Sequence, residues 1–197
     1  MWDFFHFANL ARKGWIKFKG GHLEITGLRI LMMDVDTLNG LEVELENVFS
    51  YKSSGQFIYK ISKQGGRRAC RAHHKFSKYA GNDLVDYMET MATGAGWGII
   101  KIDKIVDDAW TFTVENSPFV KRKKGIPTCH FLRGFLAGSG TYITGHPYDC
   151  IETECKSAGA KYCRFVAMPS HKIRKMKSLK SFLYQIEEIG PTNEFSR

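Results

Sequence analysis

Two stretches decide the fold: residues 129–138, Cys129-His130-Phe131-Leu132-Arg133-Gly134-Phe135-Leu136-Ala137-Gly138, and residues 152–165, Glu152-Thr153-Glu154-Cys155-Lys156-Ser157-Ala158-Gly159-Ala160-Lys161-Tyr162-Cys163-Arg164-Phe165. Pro127 and Thr128 open the first and Gly145 and Pro147 close it, so a helix is expected over residues 129–144. Two short strands follow, over about 148–154 and 161–168, joined by the small-residue turn at 156–160. Gly134 and Gly138 lie one turn apart on the helix, a stripe that lets another backbone come close. It serves either tight helix packing or room for a flat ligand, walled by Trp110, Phe112, Phe131 and Phe135.

Four of the five cysteines fall between residues 129 and 163. Cys155 and Cys163 flank the turn, so the two strand ends can bring their thiols together. Glu152 precedes Cys155 by three residues, a spacing that fits one face only if the strand bends or bulges. Cys129 sits at the helix start, where unsatisfied N–H groups and the positive dipole end favour a thiolate. Three thiolates and one carboxylate form a closed tetrahedral set suited to zinc. Cys150 and Glu154 compete for the same role, and spacing alone does not dismiss them. Inert core thiols are the other reading, because free cysteine is among the most buried residue types and no Cys-x-x-Cys pair occurs.

Working outward, Trp15–Lys19 and His22–Ile25 alternate around Gly20-Gly21, a hairpin signal, and an apolar run over 28–33 follows. Leu38, Leu41, Leu45 and Val48 recur at helical spacing, so a helix is expected over about 36–50, with Asp36 as its cap. A second helix is expected over about 54–63. The basic stretch between Lys63 and Lys78, interrupted by Gly65-Gly66, reads as a solvated face or loop, with a phosphate-binding patch as the alternative. Leu84, Val85, Met88, Met91 and Ala95 mark another helix. Ile100 and Ile102, then Trp110, Phe112 and Val114, alternate across Asp107-Asp108 as a β-hairpin does. Lys121–Lys124 reads as a surface loop, and a last helix is expected over about 170–189, ended by Gly190-Pro191.

The whole is an α+β domain, an antiparallel sheet packed with helices. Residues 1–34 form a short β-rich appendage, 35–189 the main domain and 190–197 a tail. With 197 residues, 43% hydrophobic and 25% charged, the chain is long enough to bury a core and unlike a disordered segment. No apolar run approaches the roughly 18 residues of a membrane span, and no signal-peptide pattern opens the chain, so a cytoplasmic location is expected. The net charge of +9 permits attraction to nucleic acid or other polyanions without identifying one. Gly138-Ser139-Gly140 lies late in a helix and not between a strand and a helix, so it is no dinucleotide fingerprint. Gly94-Ala95-Gly96 fails on the same ground. Neither a phosphate-binding Gly-Lys loop nor a Ser/His/Asp set is recognisable, which argues against an enzyme.

The two quoted stretches together closely resemble the 4-vinyl reductase domain family, which also supplies the sensory domain of bacterial activators that respond to phenols and other aromatic hydrocarbons. The order of elements before them agrees, and the resemblance is expected to extend over about residues 35–189. It implies a fold like that of the transport-protein-particle (TRAPP) subunits, usually homodimeric. It further implies a zinc ion held by Cys129, Glu152, Cys155 and Cys163, which favours Glu152 over Glu154. Four protein ligands leave no open position, so such a zinc is structural. No ATPase domain and no DNA-reading module accompany the resemblance here. The phenol-contacting histidine and tryptophan of the sensors have only candidates, His73, His74, Trp97 and Trp110.

The expected function is therefore non-catalytic binding or sensing of a hydrophobic or aromatic small molecule beside Trp110, Phe112, Phe131 and Phe135, by a zinc-stabilised homodimer. Aromatic residues crowded into the first 18 positions (Trp2, Phe4, Phe5, Phe7, Trp15, Phe18) are the expected interface. The competing expectation is a basic adaptor or nucleic-acid-associated regulator without a ligand pocket, in which the runs at 67–78, 121–124 and 172–180 form one positive face.

Overall fold

Residues 8–120 and 125–186 are described by the computed structural model of the chain. Short helical residues at 8–12 lead into a three-stranded antiparallel sheet, β1 (Ile16–Lys19), β2 (His22–Ile25) and β3 (Leu28–Ile30). Three helices follow, α1 (Val35–Val48), α2 (Tyr51–Ser77) and α3 (Gly81–Gly94), and then the hairpin β4 (Ile99–Val106) and β5 (Ala109–Glu115). Helix α4 (His130–Thr144) returns the chain to β6 (Tyr148–Glu154) and β7 (Cys163–Pro169), linked by a 3-10 turn at Lys156–Ala158. A single turn, α5 (Ser170–Ile173), and a 3-10 segment, Lys177–Gln185, complete the described chain. The main sheet has the order β4-β5-β7-β6, antiparallel throughout, and α4 packs on the face that carries Phe112, Val114, Cys150 and Phe165.

The hairpins at 16–25 and 99–115 lie where their alternation predicts, Asp107 taking a left-handed φ of 54° at the second turn. Three expectations change. Asp34, not Asp36, caps α1, its Oδ1 accepting from the Thr37 N–H at 2.8 Å; Asp36 sits within the first turn. The expected helix over 54–63 runs to 27 residues, capped by Ser50 and continuing through Gly65-Gly66 and the basic stretch. The expected helix over 170–189 ends after one turn at Ile173 and is followed by a 3-10 segment, at whose end the Tyr184 and Gln185 carbonyls accept from Gln56 Nε2 (3.0 Å) and Arg133 Nη1 (2.6 Å). The basic run at 121–124, expected as a surface loop, the tail and the aromatic residues Trp2, Phe4, Phe5 and Phe7 lie outside the described residues. Trp15 meets Phe76 edge-on, whereas Phe18 is exposed.

The β-rich N-terminal segment seals a second core. Leu10, Trp15, Ile16 and Ile25 pack with Cys70 of α2 and with Leu84, Met88 and Met91 of α3. His73 is buried there with Nδ1 3.1 Å from Thr26 Oγ1, and burial pulls its pKa down to about 4, so it is a neutral core histidine.

The crossing of α2 and α4 accounts for both the uninterrupted α2 and the glycines of α4. A Cβ on Gly134 would stand 2.3 Å from the Tyr59 carbonyl oxygen, one on Gly138 2.0 Å from that of Lys63, and one on Gly66 2.3 Å from that of Phe135. The glycine stripe is thus filled by backbone, and no ligand space lies along it. Gly65, by contrast, has nothing within 4 Å of its ideal Cβ. Adjacent glycines of one helix should therefore respond with opposite signs. Gly65→Ala is expected to raise stability by up to about 1 kcal/mol through helix propensity, and Gly66→Ala to lower it by about 2–3 kcal/mol through overpacking. Urea denaturation of both variants checks the pair.

Candidate metal centre and adjoining cavity

Cys129 is the N-cap of α4, Glu152 and Cys155 lie at the end of β6, and Cys163 opens β7. The topology folds these ends together into a buried cluster whose candidate ligand atoms all lie within 4.8 Å of one another. Cys163 Sγ is 3.7 Å from Cys129 Sγ and 3.9 Å from Cys155 Sγ. Metal–sulfur bonds of about 2.3 Å place sulfurs at the corners of a tetrahedron about 3.8 Å apart, so the donors are spaced for one four-coordinate ion. The expected bulge is present: the β6–β7 register shifts between Glu152 and Glu154, which puts Glu152 and Cys155 on one side. Glu154 turns to Arg164 at 2.8 Å, and the buried Cys150 lies on β6 outside the cluster, so geometry removes both competitors.

The donor set also has the electrostatics of a cation site. Glu152 Oε2 accepts from the Cys129 N–H at 3.1 Å, while Oε1, equally buried, has no hydrogen-bond partner among the described residues. Burial and the neighbouring Cys155 push the Glu152 carboxyl up to about 8. The sulfurs of Cys155 and Cys163, together with burial, drive the Cys129 thiol well above its ordinary range, whereas hydrogen bonds from Cys129 and Cys163 pull the Cys155 thiol far below it. Four acids at this separation cannot all ionise alone, and a divalent cation would let them. The Lys156 N–H, 3.5 Å from Cys163 Sγ, adds a backbone donor to the sulfur.

Two supporting residues gave no signal in the sequence. The Gln185 side chain clamps the Glu152 backbone, Oε1 accepting from its N–H and Nε2 donating to its carbonyl, both at 2.9 Å. Arg133, 1% exposed, donates to the Gln185 carbonyl and, at 2.9 Å, to His130 Nδ1, and it lies 5.1 Å from the Tyr59 ring centre. Gln185 is 33 residues from Glu152 and in a segment read as regular helix, so no spacing could announce the pairing.

On another side of α4 an apolar cavity of about 30 Å³ lies between α3, the β4–β5 hairpin and α4. Trp110, Phe112 and Phe135 line it together with Met88, Glu89 and Ser139. Phe131 does not; it stacks on Phe119 at 5.3 Å and meets Trp97 at 5.4 Å. Of the other aromatic candidates, Trp97 packs edge-on against Phe135, and His73 and His74 are engaged elsewhere, His74 with the Tyr142 hydroxyl at 3.0 Å. The polar groups at the cavity are the Ser139 hydroxyl and the Glu89 carboxyl, whose pKa burial raises while its Oε2 accepts from the Ile102 N–H at 3.1 Å. Cys70, beside Ser139, is fully buried, and burial pushes its thiol up to about 12.

The four donors of the cluster fall in one recognisable segment. Residues 110–169 match the 4-vinyl reductase domain family. Three solved structures have the same fold. The phenol-responsive sensory domain of the transcription activator PoxR, determined with phenol, superposes with a TM-score of 0.77 at 16% identity over 92% of this chain and 96% of that one. A vinyl-4-reductase family protein from Methanocaldococcus jannaschii gives 0.52 at 18% identity over 70% and 82%. A trafficking protein particle complex subunit 3 from Naegleria fowleri, covalently bound to palmitic acid, gives 0.55 at 11% identity over 68% and 91%. No curated protein matches the sequence. The fold is thus the α+β, TRAPP-like fold of 4-vinyl reductase domain proteins, and none of the described helices is long and apolar enough to cross a membrane.

Proposed function

We propose that this chain is a non-catalytic regulatory domain that encloses a small aromatic or hydrophobic molecule and is held together by a structural zinc ion. The observation that carries the ligand reading is the cavity. Two aromatic residues of the sheet and one of α4 wall it, only a carboxyl and a hydroxyl interrupt its apolar lining, and it lies in a fold whose likeness to a phenol-responsive sensory domain spans nearly the whole of both chains. A benzene-sized ring needs about 150 Å³, so entry requires the flexible Met88 and its neighbours to move aside. Glu89 and Ser139 are the groups placed to pair with a ligand hydroxyl. Millimolar phenol and alkylphenols are expected to raise the melting temperature by several degrees through preferential binding to the folded state, and Ser139→Leu to abolish the shift by filling the cavity. The absence of a shift across such a panel rejects the reading.

The thiolate-rich donor set of Cys129, Glu152, Cys155 and Cys163 favours zinc over harder ions. The ion would supply a cross-link between the start of α4 and the β6–β7 ends, and its binding energy would be folding energy. Elemental analysis of protein purified without chelator is expected to give close to one zinc per chain, and Cys163→Ser to lower both zinc content and melting temperature, the latter by roughly 10 °C. Far less than one zinc in the unmodified protein would exclude the assignment.

The acting unit is a homodimer in this proposal. Leu31, Met32, Leu41, Val48, Phe49, Phe57 and Ile61 are all exposed large apolar residues on α1, its approach and the start of α2, a concentration that marks interfaces. Sedimentation is expected to give a dimer at micromolar concentration and a monomer for Leu41→Glu/Val48→Glu. A monomeric wild type rules the dimer out.

A further inference from the structure

We propose that the outward face of α2 binds the phosphate backbone of duplex nucleic acid, independently of any ligand in the cavity. Across 27 residues α2 contains no Asp or Glu, while Lys60, Lys63, Arg67, Arg68, Arg71 and Lys75 lie on it and Lys78 caps it. From Gln64 to Lys78 every exposed position is Gln64 or a cation. Lys63, Arg67, Arg71 and Lys75 recur every four residues, about 6 Å apart along the axis, so the charges form a row roughly 20 Å long.

The row is unusual in this molecule. Four cations of the strands and of α5 are paired with carboxylates: Lys17 with Glu24, Lys101 with Glu115, Arg164 with Glu154 and Lys172 with Asp108. Lys60, Arg67, Arg68, Arg71, Lys75 and Lys78 have no ion pair among the described residues. Like charges at i and i+4 destabilise a helix, so the pattern costs the fold and helps only when an anion faces it. A second basic segment adjoins the row. Asp149 takes Lys63 at 2.6 Å and Arg174 at 3.7 Å, which brings the exposed Arg174, Lys175 and Lys177 beside α2. The runs at 67–78 and 172–180, separated by about a hundred residues of sequence, thereby share one side of the molecule.

Two features select nucleic acid over an anionic bilayer. Between Gln64 and Lys78 no exposed apolar side chain punctuates the row, and the exposed Ile61, Tyr79 and Met176 lie at its ends and beside it, whereas helices that lie in a membrane surface present a continuous apolar face. An evenly stepped file of charges that turns by about 40° per step around the helix fits a winding ridge of phosphates, which binds without base contacts and with strong salt dependence.

The test is fluorescence anisotropy of a labelled 30-base-pair duplex of arbitrary sequence with the full chain, titrated in 50–200 mM NaCl. Micromolar affinity is expected at 50 mM, weakening by roughly 100-fold at 200 mM for about four phosphate contacts. Arg67→Gln/Arg71→Gln/Lys75→Gln, built from good helix formers, should keep the melting temperature and reduce the slope of log K against log salt by about 2.7. Lys17→Gln/Lys101→Gln/Lys104→Gln, an equal loss of charge elsewhere, should leave the slope unchanged. The inference is overturned by no binding at 50 mM, by an unaltered slope in the α2 variant, by an equal loss in the strand variant, or by tighter binding to phosphatidylserine vesicles than to the duplex. The ligand and zinc measurements are blind to every one of these outcomes, so the proposals stand or fall separately.

Discussion

Everything else in the molecule hangs on how closely α2 and α4 approach. Three glycines remove the side chains that would otherwise separate the helices, and backbone carbonyls of one lie where the Cβ atoms of the other would be. This contact fixes α4 along its length. Its N-terminus is delivered to the ends of β6 and β7, where Cys129 joins Glu152, Cys155 and Cys163, and its other side is offered to the sheet around the small cavity. Because the inner face of α2 goes to this crossing and to the second core, its outer face beyond Ile61 is left for charge. One packing constraint thus divides the molecule into an end that gathers the cysteine and glutamate cluster, an apolar interior and a basic flank.

The cluster illustrates how a fold concentrates electrostatic cost in order to place ligands. A carboxyl and three thiols are buried within one small volume, and burial and mutual repulsion oppose their ionisation. The surrounding backbone answers part of that cost with N–H groups, from Cys129 to the carboxylate and from Lys156 to a sulfur. Arg133 adds a buried positive charge nearby. What remains is the share that a cation fits, which is why the unpartnered Glu152 oxygen says more about the site than the sulfur spacing alone.

Much of this was legible in the sequence, and the reasons differ by residue. The strand hairpins and α4 carry strict alternation, glycine stops and proline starts, signals local enough to survive folding. The gathering of Cys129, Glu152, Cys155 and Cys163 was legible because the cysteines cluster in a single supersecondary unit and because the Glu-x-x-Cys spacing demands a bulge, which is there. Gly65-Gly66 misled, since glycine reads as a helix breaker until the opposing carbonyl of Phe135 is known. Phe131 misled too: it shares a helix with Phe135 but stacks on Phe119 and Trp97, and a helical spacing of four does not reveal which neighbour each ring meets. The role of Gln185 depends on long-range hydrogen bonds that have no local pattern.

Strand β6 ends the main sheet, and an end strand normally presents open N–H and C=O groups to any passing chain. Here side chains occupy those groups: the Tyr59 hydroxyl accepts from the Cys150 N–H, and the Gln185 amide takes both groups of Glu152, as one residue of a neighbouring strand would. The C-terminal segment is therefore a cover as well as a brace. At the opposite end the Thr93 hydroxyl accepts from the Ile100 N–H and the Glu89 carboxylate from the Ile102 N–H, both at 3.1 Å, so α3 covers β4 in the same way. Outward lysines at 101 and 104 and a bulge between Ile102 and Lys104 add devices that discourage pairing. Both borders of the sheet are thus closed by side chains from elsewhere in the chain, and the border away from the cysteines carries charge and a bulge besides.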